Sequence, residues 1–330
     1  MRILFVTVAG SAGNSFAEVM SRQFLREGYR VDISAAEREK ESLIKVLGRC
    51  RGYDLLFLSG SMFEGSGGWR LKLALWRLRR RCGNLIVDIT DSRDSGGRLP
   101  EVLYAIKGVT LITARVEDIA EVRNKAVSRV EYVGMPVDMA SHDLRRPDFR
   151  HTDGKLAIMM ADETHAGVLT DIVARNSRDM ILFRAAGRDK ERREKIYGLS
   201  HVVVCGRGAD HPDELGLRAM ADGKVALGVG GEAYHRQIGE PRAVFYPGIE
   251  NPGPADMLMG PDISFGEGYG NDCGGNVASA TASELERVLR LLCEPTMLRD
   301  IGLAGREHVR RHHSSEVISS AIMRIIRGDR

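Results

Sequence analysis

The fold is indicated first by RILFVTVAGSAGNS, residues 2–15. The aliphatic run at its start has the length and composition of a fully buried strand. Small residues follow at once, which favour a tight turn, and an amphipathic stretch then covers about 15–28. The segment therefore predicts a strand, a turn and a helix, the repeating unit of a parallel α/β sheet.

The same alternation continues along residues 1–138. Short β-branched or aliphatic runs alternate with amphipathic stretches, which is typical of a parallel sheet covered by helices on both faces. The predicted strands are 2–8, 29–33, 54–60, 84–90, 109–113 and 129–134, and the predicted helices are 15–28, 37–50, 68–81 and 116–126. We expect a Rossmann-like N-terminal domain over 1–138.

The polar segment 139–154 lacks apolar periodicity and is interpreted as a linker. The alternation then begins again, which predicts a second Rossmann-like domain over 155–310 and a C-terminal helix, 311–330, that packs back toward the first domain. The predicted strands here are 155–161, 179–185, 201–206 and 224–230, and the predicted helices are 163–175, 189–197, 213–222, 283–293 and 295–327, the last broken near 312–315. The expected architecture is α/β, with the two domains facing each other across a ligand-binding cleft.

Composition excludes several classes of protein. The chain has 330 residues, a formal net charge of +3 and no apolar run of the roughly 18 residues that would span a bilayer. Its N-terminus does not resemble a secretory signal peptide, so we expect a cytoplasmic protein. Its five cysteines are scattered and its nine histidines lack metal-ligand spacing, so neither a disulfide framework nor a metal site is predicted.

Three segments together resemble the GT-B glycosyltransferases, in particular their family-4-like branch. They are VTLITARVEDIAEVRNKAVSRVEYVGMPVD (109–138), IVDITDSRD (86–94) and the tail 280–326. Segment 109–138 resembles the stretch that leads into the family's second domain. Segment 86–94 resembles the family's strand that ends in Asp-x-x-Asp, and the tail resembles its C-terminal helices. The resemblance implies a nucleotide-sugar donor held by the second domain and an acceptor held by the first, with the nucleotide sugar as a co-substrate and no cofactor.

The donor region departs from the family pattern. Family members carry an arginine and a lysine after the first strand of the second domain, where this chain has Ala161-Asp162-Glu163-Thr164. Asp210 and Arg218 stand where the family has two glutamates, and Glu214 is a substitute for the second of them if the loop is shorter. Because a carboxylate accepts two hydrogen bonds from a vicinal diol, Asp210 and Glu214 are candidates for donor hydroxyls, with capping of a helix as the alternative.

Two strand ends in the first half carry candidate acceptor and catalytic residues. The glycine turn after the first strand offers backbone N–H groups at a helix N-terminus, which suit an anion or a hydroxyl. The resemblance places this turn against the acceptor, so Gly10, Gly13 and Asn14 are candidates for acceptor binding. Asp91 and Asp94 follow the strand 84–90, where a carboxylate is able to orient an attacking hydroxyl or accept its proton. Arg93 lies between them as an acceptor-binding candidate, and the alternative for each is a structural turn.

A second glycine loop provides the best candidate for a phosphate site. Gly230, Gly231 and Glu232 follow the strand 224–230, and a glycine loop that opens a helix binds a diphosphate without a side-chain cation. Arg184 and Lys224 lie near strand ends of the same half and are candidate supplementary cations. A plain turn and ordinary surface charges are the alternatives.

The segment WRLKLALWRLRRR, 69–81, has two apolar stripes instead of one. At helical spacing one stripe is Leu71, Leu75 and Leu78, and the opposite stripe is Trp69, Leu73 and Trp76, with six cations between them. The leucines suit a core, and tryptophans flanked by cations favour contact with an anionic membrane surface. A helix covered by a neighbouring element or by a second copy is the alternative.

Charge is distributed unevenly along the chain. Residues 1–140 contain 22 basic and 17 acidic side chains, whereas residues 141–330 carry a net charge of −2. Because the excess is small and concentrated in one helix, nucleic acid is not a predicted partner. The resemblance to the GT-B family predicts a metal-independent glycosyltransferase, and we expect its acceptor hydroxyl to belong to a lipid-linked molecule or to a cell-envelope or polysaccharide precursor. A sugar-nucleotide epimerase of the same fold and a catalytically silent binding protein are the alternatives.

Overall fold

The structure is a computed structural model of the 330-residue chain. The residues that it describes are 1–8, 14–36, 48, 50–63, 69–90, 103, 106–114, 122, 129–144, 147–160, 166–185, 190–205, 214–228 and 285–328. Most of each of the predicted helices 37–50 and 116–126 therefore lies outside the described residues. The chain divides into two compact units, Met1–Asp138 with His312–Arg330, and Met139–Arg311.

The first unit contains a parallel six-stranded sheet in the order β2-β1-β3-β4-β5-β6. Its strands are β1 (Arg2–Val8), β2 (Arg30–Ala36), β3 (Leu55–Ser59), β4 (Asn84–Asp88), β5 (Val109–Thr113) and β6 (Arg129–Tyr132). Helices α1 (Asn14–Arg26) and α2 (Trp69–Arg81) connect strands, and a 3₁₀ turn, Gly60–Phe63, follows β3. The prediction of a parallel α/β sheet in this half is confirmed.

Both faces of the first sheet are buried, as its aliphatic strands predict. Alternate residues of β1 point to opposite faces. Leu4 and Val6 pack with Leu75 and Leu78 of α2 on one face. The other face carries Ile3 and Phe5 of β1 and apolar residues of α1 and of the last helix: Phe16, Met20, Phe24, Ile318 and Ile322.

The second unit contains a parallel four-stranded sheet in the order β10-β9-β7-β8. Its strands are β7 (Leu156–Met160), β8 (Met180–Arg184), β9 (Val202–Cys205) and β10 (Val225–Gly228). Its helices are α3 (Ala166–Arg175), α4 (Lys190–Leu199), α5 (Glu214–Ala221) and α6 (Pro295–His312), with helical residues also at 285–292. Short 3₁₀ turns, Met139–Ser141 and Phe149–Thr152, lie in the segment predicted as a linker.

The last helix, α7 (Ser315–Arg327), belongs to the first unit. Ser314 caps it, because its hydroxyl accepts a hydrogen bond from the N–H of Val317. Backbone hydrogen bonds from the N–H of Val137 to the carbonyl of His313 (2.7 Å) and from the N–H of Ser315 to the carbonyl of Val137 (2.9 Å) fix the start of the helix. Within the described residues, no helix has the length and apolar character needed to cross a membrane.

Candidate functional site

The strand orders define one preferred ligand position in each unit. The chain runs from β1 to β2 on one side and then crosses to β3 on the other, so the order reverses between β1 and β3. In the second unit the same reversal lies between β7 and β9. Open parallel sheets bind ligands beside the carboxyl ends of the two strands at such a reversal. The loops that follow these four strands are therefore the candidate binding elements.

The glycine turn predicted to bind the acceptor follows β1 and so belongs to the reversal of the first unit. Gly10 and Gly13 lie outside the described residues. Asn14 is the first residue of α1, although its side chain is not among those described. The position of the turn agrees with a binding loop, and acceptor contact by these residues stays a prediction.

Asp88 shapes the end of β4, next to the predicted catalytic carboxylates. It is 4% exposed, and its Oδ1 accepts a hydrogen bond of 3.0 Å from the N–H of Thr90. The hydroxyl of Thr90 accepts a hydrogen bond of 2.9 Å from the N–H of Ala114, which ties this turn to the end of β5. Asp88 is thus a structural residue at the carboxyl edge. Asp91, Arg93 and Asp94 come directly after this turn and lie outside the described residues.

The donor candidates of the second unit lie after three different strands. Arg184 ends β8 beside Met160 of β7, and its guanidinium donates a 2.9 Å hydrogen bond to the hydroxyl of Thr170. Glu214 is the first residue of α5, the helix that follows β9. Asp210 precedes that helix and lies outside the described residues, as do the three residues of the glycine loop after β10: Gly230, Gly231 and Glu232. Asp210 and Glu214 follow β9, one of the two strands at the reversal, whereas Arg184 ends β8 and the glycine loop follows β10, the outer strands at the same carboxyl edge.

The prediction for Lys224 is corrected by its position. Lys224 directly precedes β10 and therefore lies at the amino edge of the sheet, opposite the edge where ligands bind. Its side chain is 7% exposed, and its ammonium donates hydrogen bonds to the carbonyl oxygens of Tyr197 (2.7 Å) and Ser200 (2.5 Å). A buried ammonium with these partners holds the end of α4 against the sheet, so the donor role assigned to Lys224 was wrong.

We expect Lys224→Met to lower the free energy of unfolding of the second unit by about 2 kcal/mol, because buried carbonyls lose their donor. Nucleotide affinity should stay unchanged, since the residue lies at the amino edge. Lys155→Met is the matched control, because Lys155 also precedes a strand but donates to a single carbonyl, that of Ser177, at an exposed position. Urea unfolding and calorimetric titration measure the two effects. A loss of nucleotide affinity without a loss of stability would restore the original assignment.

A buried polar cluster near Lys224 was not anticipated. Asp222 is 3% exposed; its Oδ1 lies 2.9 Å from Nδ1 of His142, and its Oδ2 accepts a 2.7 Å hydrogen bond from the hydroxyl of Tyr197. His142 belongs to the segment predicted as a linker, 80 residues away along the chain. No sequence pattern connects the two residues, so only the fold reveals the cluster, which holds this segment against α4 and α5.

In the described part of helix α2, the apolar residues divide between a buried side and an exposed side. Leu75 and Leu78 are fully buried, whereas Trp76 is 45% exposed and Leu73 is half-buried. The guanidinium of Arg80 stacks on the indole of Trp76, 3.9 Å from its centre. The side chains of Trp69 and Leu71 are outside the described part of the chain. Membrane contact by Trp69, Leu73 and Trp76 stays a prediction.

The described thiols lack nucleophilic character, with Cys50 and Cys82 buried and Cys293 half-buried. Burial raises the pKa of Cys82 and that of Cys293 to about 11, and it also raises the pKa of Cys50. All three are therefore protonated near neutral pH. Among the described residues, no group of three or more histidine, cysteine, aspartate or glutamate side chains has the arrangement of a metal site.

Comparison with known proteins gives a match in structure and none in sequence. No protein-family model and no curated protein sequence matches the chain. Sucrose-phosphate synthase from Thermosynechococcus elongatus superposes with a TM-score of 0.58 at 14% identity, over 99% of this chain and 98% of that chain. The lipopolysaccharide outer core galactosyltransferase WaaB matches with a TM-score of 0.49 at 10% identity, over 98% and 99% of the respective chains.

The superposition on sucrose-phosphate synthase includes both parallel-sheet units. At 14% identity this likeness concerns the fold alone. The match spans two consecutive parallel α/β units, each with a reversal of strand order. It also spans the last helix, which belongs to the first unit. The chain therefore has the GT-B fold of that glycosyltransferase.

Proposed function

We propose that this protein is a glycosyltransferase that moves a sugar from a nucleotide-activated donor to an acceptor hydroxyl. The observation that carries the proposal is the position of the candidate loops in a chain with the GT-B fold. The glycine turn after β1 and the carboxylates after β4 follow carboxyl ends in the first unit, and Asp210 and the glycine loop after β10 follow carboxyl ends in the second. We assign the acceptor to the first unit and the donor to the second.

The proposed mechanism depends on electrostatics and positioning. Backbone N–H groups of Gly230 and Gly231, with the cation of Arg184, stabilise the departing diphosphate. Asp91 and Asp94 orient the acceptor hydroxyl, whose oxygen forms a bond to the anomeric carbon of the sugar. The bond from that carbon to the diphosphate oxygen breaks with its electron pair, and the hydroxyl proton goes to a carboxylate of the site. No step in this scheme requires a metal ion.

Binding of nucleotides is the first test of the proposal. We expect one or more nucleoside diphosphates, or their sugar conjugates, to raise the thermal unfolding midpoint, because a ligand at 100 times its dissociation constant stabilises a protein by about 2.7 kcal/mol. Hydrogen exchange should show protection in the second unit. A complete panel of nucleotides that leaves the midpoint unchanged would exclude a transferase and an epimerase alike and would favour a silent binding protein.

Asp91→Asn should lower transfer by about 100-fold, because the amide neither accepts a proton nor orients the hydroxyl in the same way. Nucleotide affinity should be unaffected. The matched control is Asp54→Asn in the same unit, since Asp54 lies at the amino edge, where its Oδ2 accepts a 2.7 Å hydrogen bond from the N–H of Arg2. Release of nucleoside diphosphate with and without acceptor measures transfer. Equal activity in the two variants would remove Asp91 from the site.

An epimerase gives a different result in the same assay. It converts the sugar nucleotide without an acceptor and releases no diphosphate in stoichiometric amount. Nuclear magnetic resonance of the sugar ring distinguishes the two reactions directly. We favour transfer, because a transferase requires two binding regions and candidate loops follow carboxyl ends of strands in both units.

We also propose that the acceptor is lipid-linked and that the protein works at the inner face of a membrane. The support comes from helix α2, which exposes Trp76 beside Arg80 while Leu75 and Leu78 face the core. Tryptophan beside cations is typical of surfaces that lie at an anionic bilayer. Flotation with vesicles, with and without anionic lipid, tests the location.

A further inference from the structure

An open groove lies at the C-terminal end of α2, at the amino edge of the first sheet, where β4 and β5 begin. It has a volume of about 660 Å³. Its lining residues are Lys72, Trp76, Arg79, Arg80, Cys82, Gly83, Ile106, Lys107 and Gly108. The wall thus combines apolar side chains and two glycines with four cations. This composition suits a ligand that is both anionic and amphipathic.

The described charges of the groove all have the same sign. Among the lining residues that the structure describes, four are lysine or arginine and none is acidic. In the described part of the chain, no carboxylate forms an ion pair with Lys72, Arg80 or Lys107. Arg79 donates a 2.9 Å hydrogen bond to the carbonyl of Gly83 and retains further N–H donors. Like charges that line one concave surface raise the local concentration of anions.

Two local contacts hold the guanidinium groups in place. Gly108 has a φ of +81°, and a Cβ there would lie 2.9 Å from Nε of Arg79. Only glycine therefore combines this backbone conformation with such a close approach of Arg79. Arg80 is held on the other side by its stacking on Trp76. Arg79 and Arg80 are therefore positioned before any ligand arrives, which reduces the entropy lost on binding.

We propose that this groove binds the phosphate headgroup of an anionic phospholipid at a bilayer surface, with Trp76 entering the headgroup region. The inference rests on the proposed membrane location and adds to it the lipid class and the groove residues Arg79, Arg80 and Lys107. The exposed indole favours a lipid headgroup over a free phosphate ion. A free phosphate would contact the cations alone, whereas a bilayer also accommodates Trp76, which is 45% exposed.

Flotation of the full chain with vesicles tests the inference. We expect binding to vesicles of phosphatidylcholine with 30 mol% phosphatidylglycerol, weaker binding at high salt and little binding to phosphatidylcholine alone. Each cation near an anionic surface contributes roughly fivefold to binding, so Arg80→Gln with Lys107→Gln should weaken it roughly 25-fold. The matched control is Arg324→Gln with Arg327→Gln, which removes two exposed charges from α7, on the opposite face of the same sheet.

Fluorescence of a Trp69→Phe variant reports on Trp76 alone, because the chain has two tryptophans. We expect its emission to shift to shorter wavelength with phosphatidylglycerol vesicles and to be quenched by brominated lipid chains. Soluble glycerol phosphate or inorganic phosphate at millimolar concentration should neither cause the shift nor prevent it. A shift caused by these soluble anions, or by a short oligonucleotide in place of vesicles, would overturn the assignment to a lipid.

The outcomes separate the inference from the proposals on which it rests. Equal flotation of the groove and control variants would overturn the inference and leave the membrane location standing. No flotation of the wild-type chain would overturn both. Nucleotide binding, measured on the same variants by thermal shift, reports on the transferase proposal separately, because its candidate residues follow carboxyl ends of strands.

Discussion

Gly302→Ala is expected to lower the free energy of unfolding of the second unit by about 3 kcal/mol or more. A Cβ at residue 302 in α6 would overlap the carbonyl oxygen of Gly223, and the clash is with backbone that cannot rotate away. Gly223 has a φ of +76° in the turn between α5 and β10, so this position also requires glycine. The helix and the turn pack closely only because both residues lack a side chain.

Two further glycines provide matched controls for this substitution. Gly305 lies one turn further along α6, where a Cβ would meet the flexible side chain of Met220 at 3.3 Å, so Gly305→Ala should cost less. Gly198 lies in α4 with nothing near its Cβ position, so Gly198→Ala should leave stability unchanged or raise it by about 0.5 kcal/mol. Circular dichroism in urea measures all three. Equal stability of the three variants would show that α6 is free to move away from the turn.

The close packing of α6 has a consequence for the neighbouring polar cluster. Arg306, one turn after Gly302, donates hydrogen bonds to the carbonyl oxygens of Ala221 and His142. The same helix therefore holds both the turn before β10 and the segment that follows the first unit. An added methyl group that displaces α6 would weaken these contacts together. The expected loss of unfolding free energy is therefore larger than for a methyl group added elsewhere in a core.

The sequence predicted the sheets well because burial on both faces leaves an unmistakable pattern. Strands such as LLFLS (55–59) and LAIMM (156–160) are aliphatic without alternation, and both are buried along their whole length. The two-striped helix was also interpreted correctly in its described core, since Leu75 and Leu78 face the sheet. These predictions depend on local periodicity, which the chain carries directly.

The candidate site was less predictable because it depends on which edge of a sheet a residue occupies. Lys224 and Gly230 lie within seven residues of each other, yet the strand β10 begins after the first and ends before the second. In the sequence both are residues near strand ends, and the pattern does not distinguish an amino edge from a carboxyl edge. Contacts such as Asp222 with His142 join distant positions and have no sequence signature.

Acidification is expected to destabilise the first unit through His313, by about 3 kcal/mol between pH 7 and pH 4. The imidazole is 5% exposed, and burial lowers its pKa to about 4, against an unfolded value near 6.5. Below pH 6.5 the unfolded chain binds a proton that the folded chain excludes. The free energy of unfolding therefore has its full value above pH 6.5 and falls progressively down to pH 4. Fluorescence in urea measures it, because both tryptophans belong to the first unit.

His313→Gln should remove this dependence while retaining a donor for the carbonyl of Met135, which lies 3.2 Å from Nδ1 of the imidazole. His312→Gln changes the exposed neighbour, whose charge is the last of the causes that lower the pKa of His313, and should keep most of the wild-type slope. Hydrogen bonds lower the pKa of Glu286 (from Asn176 and Arg175) and that of Glu307 (from Arg310 and Arg311) to about 2. Both residues belong to the second unit, which loses their contribution to stability mainly below about pH 4.5. A slope between pH 7 and pH 5 that survives in His313→Gln would therefore assign the acid sensitivity of the first unit to another group, because these two carboxylates lie in the second unit and titrate mainly below that window.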